Sequence, residues 1–204
     1  KYRRKGFYDC GLVTGSGCGM GCSFCDAHRS YGAEFKPRNI DRVIDELTLL
    51  RKKHGAKSVW LVNSGINQPL EHGKELCAKI AEANLGLSLG CVIEPGKFDH
   101  ELARLMKKSG CAAPMIFGST LDDEVLERSQ PFYRKSEVIS IAKTLREPGF
   151  DFFLGLVFGA PGETIQGVSD SLELAYSLKP AMMVTGYGYR IQPETPLREI
   201  AIRE

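Results

Sequence analysis

The sequence predicts an α/β domain in which parallel strands alternate with helices, on three observations. Short apolar runs of β type, such as KSVWLV at 57–62 and FDFFLGLVF at 150–158, alternate with segments of helical period, and six such strands can be counted. No repeat, low-complexity tract or linker rich in Pro, Gly or Ser divides the chain of 204 residues, which is long enough for one sizeable core. Finally, each strand is followed by polar or glycine-rich residues. A strand–helix–strand crossover is right-handed, so the strands come out parallel and present their carboxyl ends at one mouth. The sheet is either open and doubly wound or curled into a partial barrel.

The elements follow from local signals. LVT at 12–14 is a short strand leading into a cysteine-rich loop. Asn39 caps a helix whose inward face carries Ile40, Val43, Ile44, Leu47 and Leu50, and Gly55 closes it before the strand at 57–62. Residues 70–83 are helical, LSLGCVI at 87–93 is a strand, and a helix over 99–109 turns Leu102, Leu105 and Met106 inward. APMIF at 113–117 is the fourth strand. A short helix over 122–129 and a longer one from Ser136 follow, the second stopped by Pro148 and Gly149. The strand at 150–158 leads to a helix capped by Thr164 and running to Leu178, and AMMVTGYGYR at 181–190 is the last strand.

Composition excludes several classes. Hydrophobic residues make up 43% and charged residues 25%, as in ordinary globular domains, and the formal net charge is +2. A charge so near balance gives no footprint for nucleic acid or an anionic membrane surface. The basic start KYRRK reads as a solvated arm. No apolar run approaches a membrane span and no signal-peptide pattern opens the chain. Seven cysteines, an odd and irregularly spaced set, argue against a secreted disulfide framework and for a reducing, cytoplasmic compartment. A first residue that is Lys rather than Met reads as an excerpt of a longer protein.

Three of the seven cysteines stand within eight residues, in TGSGCGMGCSFCDAH at 14–28: Cys18, Cys22 and Cys25. A closed zinc site takes four ligands, and here Cys10 or His28 would have to complete it. Electron-transfer 4Fe–4S proteins also use four cysteines. Three cysteines leave one iron of a cluster without a protein ligand, open to a substrate chelate. The glycines between them let the loop fold tightly and turn backbone N–H groups towards sulfur. Both readings stand on the residues alone.

The run CGMGCSFC, with Phe24 directly before the last cysteine and a strand before the loop, resembles the C-x3-C-x2-C signature of the radical S-adenosylmethionine (radical SAM) superfamily, and the resemblance extends over the whole chain. It implies a partial (β/α)6 barrel forming one core domain over 1–204. It also implies a 4Fe–4S cluster on Cys18, Cys22 and Cys25, with SAM chelating the open iron. In that family cluster reduction cleaves SAM to a 5′-deoxyadenosyl radical, and a flavodoxin- or ferredoxin-like donor supplies the electron. FKPRNIDRVIDEL at 35–47 resembles the family's first helix entry, and LVFGAPGET at 156–164 the segment whose backbone, near Val157, meets adenine. Phe24 belongs to the same contact set. Where the family often has Gly-Gly-Glu-Pro this chain has NSGIN, which gives the SAM amino group to Ser64 and Gly65. Ser119, in place of a Glu-Ser pair, is left for a ribose hydroxyl. DDEVLERSQPFYRK and RIQPETPL look like the subgroup that often carries an upstream cobalamin-binding domain, or like methylthiotransferases. Cobalamin is therefore an implied cofactor of the longer protein, since 204 residues hold no second domain beside six strands. The reaction started is hydrogen abstraction or methyl transfer, and the other reading is a non-catalytic metal-stabilised binding domain.

Other residues have plainer readings. Cys77, Cys91 and Cys111 pack as small hydrophobes in the core. Glu94 is equally a loop charge or a residue of the mouth. Tyr187 and Tyr189 alternate with Arg190, so an extended run divides them between an inner and an outer face. His72 and His100 are solvated helix positions.

Overall fold

A computed structural model describes residues 9–203, so the KYRRK arm lies outside the described residues. The chain opens with β1 (Cys10–Val13), after which a two-residue strand β2 (Gly15–Ser16), a single helical turn α1 (Ala27–Ser30) and β3 (Lys36–Pro37) make up the cysteine-bearing excursion. Next come α2 (Ile40–Lys52), β4 (Ser58–Val62), α3 (Leu70–Ala83), β5 (Ser88–Ile93), α4 (His100–Lys108) and β6 (Cys111–Phe117). Two helices, α5 (Asp123–Ser129) and α6 (Lys135–Arg146), lead to β7 (Phe153–Phe158), followed by α7 (Ile165–Ser177), β8 (Met182–Tyr187) and α8 (Pro196–Arg203).

Six strands form one sheet in the order β1-β4-β5-β6-β7-β8, every neighbouring pair parallel. That order decides between the two architectures left open by the sequence. A doubly wound sheet reverses its order at a switch point. Here the order never reverses, so right-handed crossovers place successive helices on one face and the sheet curls around the other. The result is an open partial barrel, as the resemblance implied.

Side-chain alternation along each strand separates the two faces. Leu61, Leu89, Ile93, Ile116, Leu154 and Leu156 are buried in a common core with Leu47, Leu76, Leu102 and Leu145 of the covering helices. Burying each such side chain stabilises the fold by about 1.5–3 kcal/mol. The opposite face is apolar yet open: Val13, Val62, Phe117 and Val184 are 39–47% exposed. It is the concave interior.

Asn39 and Thr164 cap their helices as the sequence predicts, and Asp99 also proves to be a cap. The side chain of Asn39 accepts from Arg42 N–H at 3.0 Å, that of Asp99 from Leu102 N–H at 2.8 Å, and that of Thr164 from Gly167 N–H at 3.0 Å. The last strand is shorter than its apolar run predicted. It stops at Tyr187 because Gly188 takes a φ of +86°, which bends the chain across the mouth. Tyr187 is left 90% exposed while Tyr189 turns inward, so the predicted division of this run between two faces gives way to a turn. Among the described residues no helix is long and apolar enough to cross a membrane.

Candidate functional site

The cysteine loop rises from the carboxyl end of β1. Its base is the ribbon of β2 and β3, antiparallel with Gly15 opposite Pro37 and Ser16 opposite Lys36. At Gly17 the chain passes so close to the returning segment that a Cβ would lie 2.1 Å from the Glu34 carbonyl oxygen, and φ there is +86°; only glycine satisfies both. Cys18 N–H then donates to the Gly32 carbonyl at 3.0 Å, and Cys25 N–H to the Cys22 carbonyl at 3.1 Å. Ser23 N–H donates to the Ser129 carbonyl at the end of α5, while the Ser23 carbonyl accepts from Leu197 N–H in α8, each at 2.9 Å. The loop is thus fixed from two distant parts of the chain.

All three cysteine sulfurs face donors, Cys18 the backbone N–H of Met20. The side-chain amide of Gln130 donates to Cys22 Sγ at 3.3 Å, and Ala27 N–H donates to Cys25 Sγ at 3.4 Å. Cys18, Cys22 and Cys25 lie near enough to influence one another's charge. Burial pushes the Cys22 thiol up to about 12; the Gln130 hydrogen bond works against this, and nearby Glu94 adds to it. Cys18 is likewise raised, chiefly by burial. Among the described residues no three His, Cys, Asp or Glu side chains are gathered around a single metal ion. A closed zinc site takes four protein ligands, whereas in a 4Fe–4S cluster each cysteine binds a different iron and three leave one iron open. Cys10, one possible fourth zinc ligand, stands at the opposite end of β1 from the loop and packs against the core. The donor set therefore fits a cluster better than zinc.

Around the loop, the strand ends supply a ring of polar groups. After β4, Asn67 is buried and ties two loops together: its amide donates to the Glu94 carbonyl at 2.8 Å and the Lys97 carbonyl at 3.1 Å, and its oxygen accepts from Glu94 N–H at 3.1 Å. Gly65 lies directly against Glu94, where a Cβ would come within 2.7 Å of Glu94 Cγ. Its contact with Gly65 and its nearness to Cys22 place Glu94 at the mouth, and burial raises its carboxyl to about 8. Ser64 lines a cleft of about 950 Å³ beside the loop, bounded also by Gly19, Met20, Phe35, Asn67 and Pro95.

On the other side, β6 and β7 converge. Ser119 is buried, its carbonyl accepts from Val157 N–H at 3.0 Å, and its hydroxyl donates to Gln130 Oε1. Tyr133 OH accepts from Ser119 N–H at 3.0 Å and donates to the same Gln130 oxygen at 3.1 Å. Tyr189 stacks on Phe24 with ring centroids 4.3 Å apart and donates its hydroxyl to the Val157 carbonyl at 2.9 Å. Phe24, Ser119 and Val157 are thereby drawn into one connected group with Cys22, while Ser64 and Gly65 stand across the mouth on the Glu94 side. Asn63 Oδ1 and Glu163 Oε1, past β4 and β7, are buried without a hydrogen-bond partner among the described residues. Unpaired acceptors of this kind suit a ligand that brings donors.

Gln130, Tyr133 and Asn67 were not singled out from the sequence. The available signal for the first two was their place: SQPFY falls directly past the short helix that follows a strand end. Cys77, Cys91 and Cys111 are buried as expected, with the sulfurs of Cys91 and Cys111 3.9 Å apart.

Fold and site together define a partial-barrel protein with a three-cysteine loop at the mouth of its parallel strands. The family model of the Radical SAM superfamily matches residues 12–175, and the chain belongs to that superfamily, whose members use a 4Fe–4S cluster and SAM. Tryptophan 2-C-methyltransferase of Streptomyces laurentii is 25% identical over 207 residues, covering 95% of this chain and 34% of that protein. A tRNA-2-methylthio-N(6)-dimethylallyladenosine synthase of Cutibacterium acnes is 23% identical over 208 residues, covering 95% of this chain and 41% of that protein. Among solved structures, the radical SAM methyltransferase TsrM of Kitasatospora setae, with cobalamin and a 4Fe–4S cluster bound, superposes with a TM-score of 0.87 at 25% identity, covering 95% of this chain and 36% of that one. The chain thus spans between a third and two-fifths of these relatives' length.

Proposed function

We propose that residues 1–204 are a single radical SAM core domain whose cluster is held by Cys18, Cys22 and Cys25, and that the protein containing it is a methyltransferase. The observation that carries this reading is the loop itself: three cysteines on one excursion from β1, with donors aimed at Cys22 and Cys25. When bound, the cluster supplies the electron that cleaves SAM reductively, or supports methyl transfer from it. The residues of this chain bind and orient. Ser64 and Gly65 take the amino end of SAM beside Glu94, Ser119 lies towards the ribose, and the backbone near Val157 meets the adenine. Phe24, braced by Tyr189, walls the site on the loop side. The apolar concave face excludes water and holds the substrate close to the reacting centre.

Methyl transfer is favoured over simple hydrogen abstraction because the tryptophan methyltransferase and TsrM match nearly the whole chain. Cobalamin, bound in TsrM, is proposed for the longer protein. The resemblance to the methylthio-forming synthase favours methylthiolation as the second reading. A cytoplasmic location and a flavodoxin- or ferredoxin-like donor complete the proposal. The test is anaerobic reconstitution of the full-length protein with and without cobalamin, followed by assay of SAM products. S-adenosylhomocysteine formed only with cobalamin supports it, and 5′-deoxyadenosine as sole product in both arms rules methyl transfer out.

A further inference from the structure

The structure assigns Gln130 as a positioning residue that sets the reduction potential of the cluster through its hydrogen bond to Cys22, with Ser119 and Tyr133 fixing the direction of its amide. This rests on the cluster reading above. Gln130 is buried at the end of α5, 108 residues from Cys22 in sequence, and its Nε2 stands 3.3 Å from Cys22 Sγ. A side-chain amide has two ends of similar size, and its orientation follows from what each end meets. Two hydroxyls, from Ser119 and Tyr133, converge on Oε1. Tyr133 OH is itself oriented, because it accepts from Ser119 N–H at 3.0 Å and so has its proton free for Gln130. With Oε1 held on that side, the N–H must face sulfur. A thiolate at Cys22 reinforces the choice, since a flipped amide would set a carbonyl oxygen against negative charge.

An N–H donor stabilises negative charge on sulfur, and the reduced cluster places more of it there than the oxidised one does. The hydrogen bond therefore raises the potential and eases the one-electron reduction. Among the described residues, Gln130 is the side-chain donor to a cysteine of the loop, and Cys18 meets the backbone N–H of Met20. The donor at Cys25 is the backbone N–H of Ala27, which no side chain adjusts.

The test is an EPR-monitored potentiometric titration of the reconstituted protein, with iron content measured on each sample. Gln130→Leu keeps the volume and removes the donor. At a fixed potential it should show about a tenfold lower ratio of reduced to oxidised cluster, a midpoint lower by about 59 mV. Ser119→Ala combined with Tyr133→Phe keeps Gln130 but frees its amide, and should shift the ratio in the same direction by about threefold. Adding both changes to Gln130→Leu should give no further shift, because the three act as one unit. A Gln130→Leu ratio within twofold of wild type at full iron content overturns the inference and leaves the cluster reading intact. Wild-type protein that binds no cluster overturns both. Should Gln130→Leu fail to load iron, the Ser119→Ala/Tyr133→Phe variant decides, and an unshifted ratio there overturns the inference.

Discussion

Glu94 is a carboxyl that the fold holds against its preference for water, and replacing it with Gln gives a pH-dependent gain in stability. Burial raises its pKa from 4.5 to about 8. Between those values the folded protein retains a proton that the unfolded chain has lost, so stability falls as pH rises. At about 1.36 kcal/mol per unit, the loss is about 1 kcal/mol at pH 5, about 3 kcal/mol at pH 7 and about 5 kcal/mol at pH 9. Gln cannot ionise and is close in shape to the protonated acid. Urea unfolding of cluster-free wild type and Glu94→Gln at these three pH values should give nearly equal stabilities at pH 5. The variant should then gain on the wild type by about 4 kcal/mol on going to pH 9. Parallel stability–pH curves for the two proteins would refute the argument. A ligand ammonium brought close to Glu94 favours the carboxylate, so in the cluster-loaded protein saturating SAM should flatten the wild-type curve.

Three further outcomes can be checked separately. Cys22→Ala should lose the cluster iron while keeping its far-UV circular dichroism, because the loop stands above the core; iron near the wild-type level would sink the ligand assignment. Gly73→Ala places a methyl 2.0 Å from the Ile66 carbonyl oxygen, forcing the start of α3 outward at a cost of about 1–3 kcal/mol; an unchanged melting temperature would contradict this. Ser119→Ala should weaken SAM binding by about 0.5–1.5 kcal/mol with iron content unchanged, and isothermal titration showing full affinity would remove Ser119 from the site.

The fold was legible because each βα unit announces itself locally. Capping at Asn39, Asp99 and Thr164 needs only neighbours in sequence, and the predicted starts fall within a residue or two of those observed. The cysteine triplet was legible for the same reason, being one contiguous run. What the sequence hid depends on distance along the chain. The β2–β3 ribbon joins two-residue segments some twenty positions apart, too short for any periodicity to mark. Gln130 gains its role only because α5 ends beside the cysteine loop, and Glu94 only because Gly65 lets its side chain lie beneath the β4 loop. Tyr189 was read as part of a strand, since an apolar run shows no break where Gly188 takes its positive φ.

These distant contacts share one consequence for chemistry. The clamps at the mouth each join loops of different βα units: Ser23 to Ser129 and Leu197, Asn67 to Glu94, and Tyr189 to Val157. They take shape only once the sheet is assembled, and they leave the three cysteines of the loop half-buried. On the proposed reading burial works against the thiolates that would hold the cluster, raising Cys18 and pushing Cys22 up to about 12, with Glu94 nearby when ionised. Cluster loading at these cysteines would therefore displace protons from thiols that burial favours. The positive charge of bound iron would favour that release. Within the protein, the Gln130 hydrogen bond acts in the same direction at Cys22, lowering what burial raises. Its position in a network with Ser119 and Tyr133 makes sense on this account: a donor that must oppose burial is useful only if it cannot turn away.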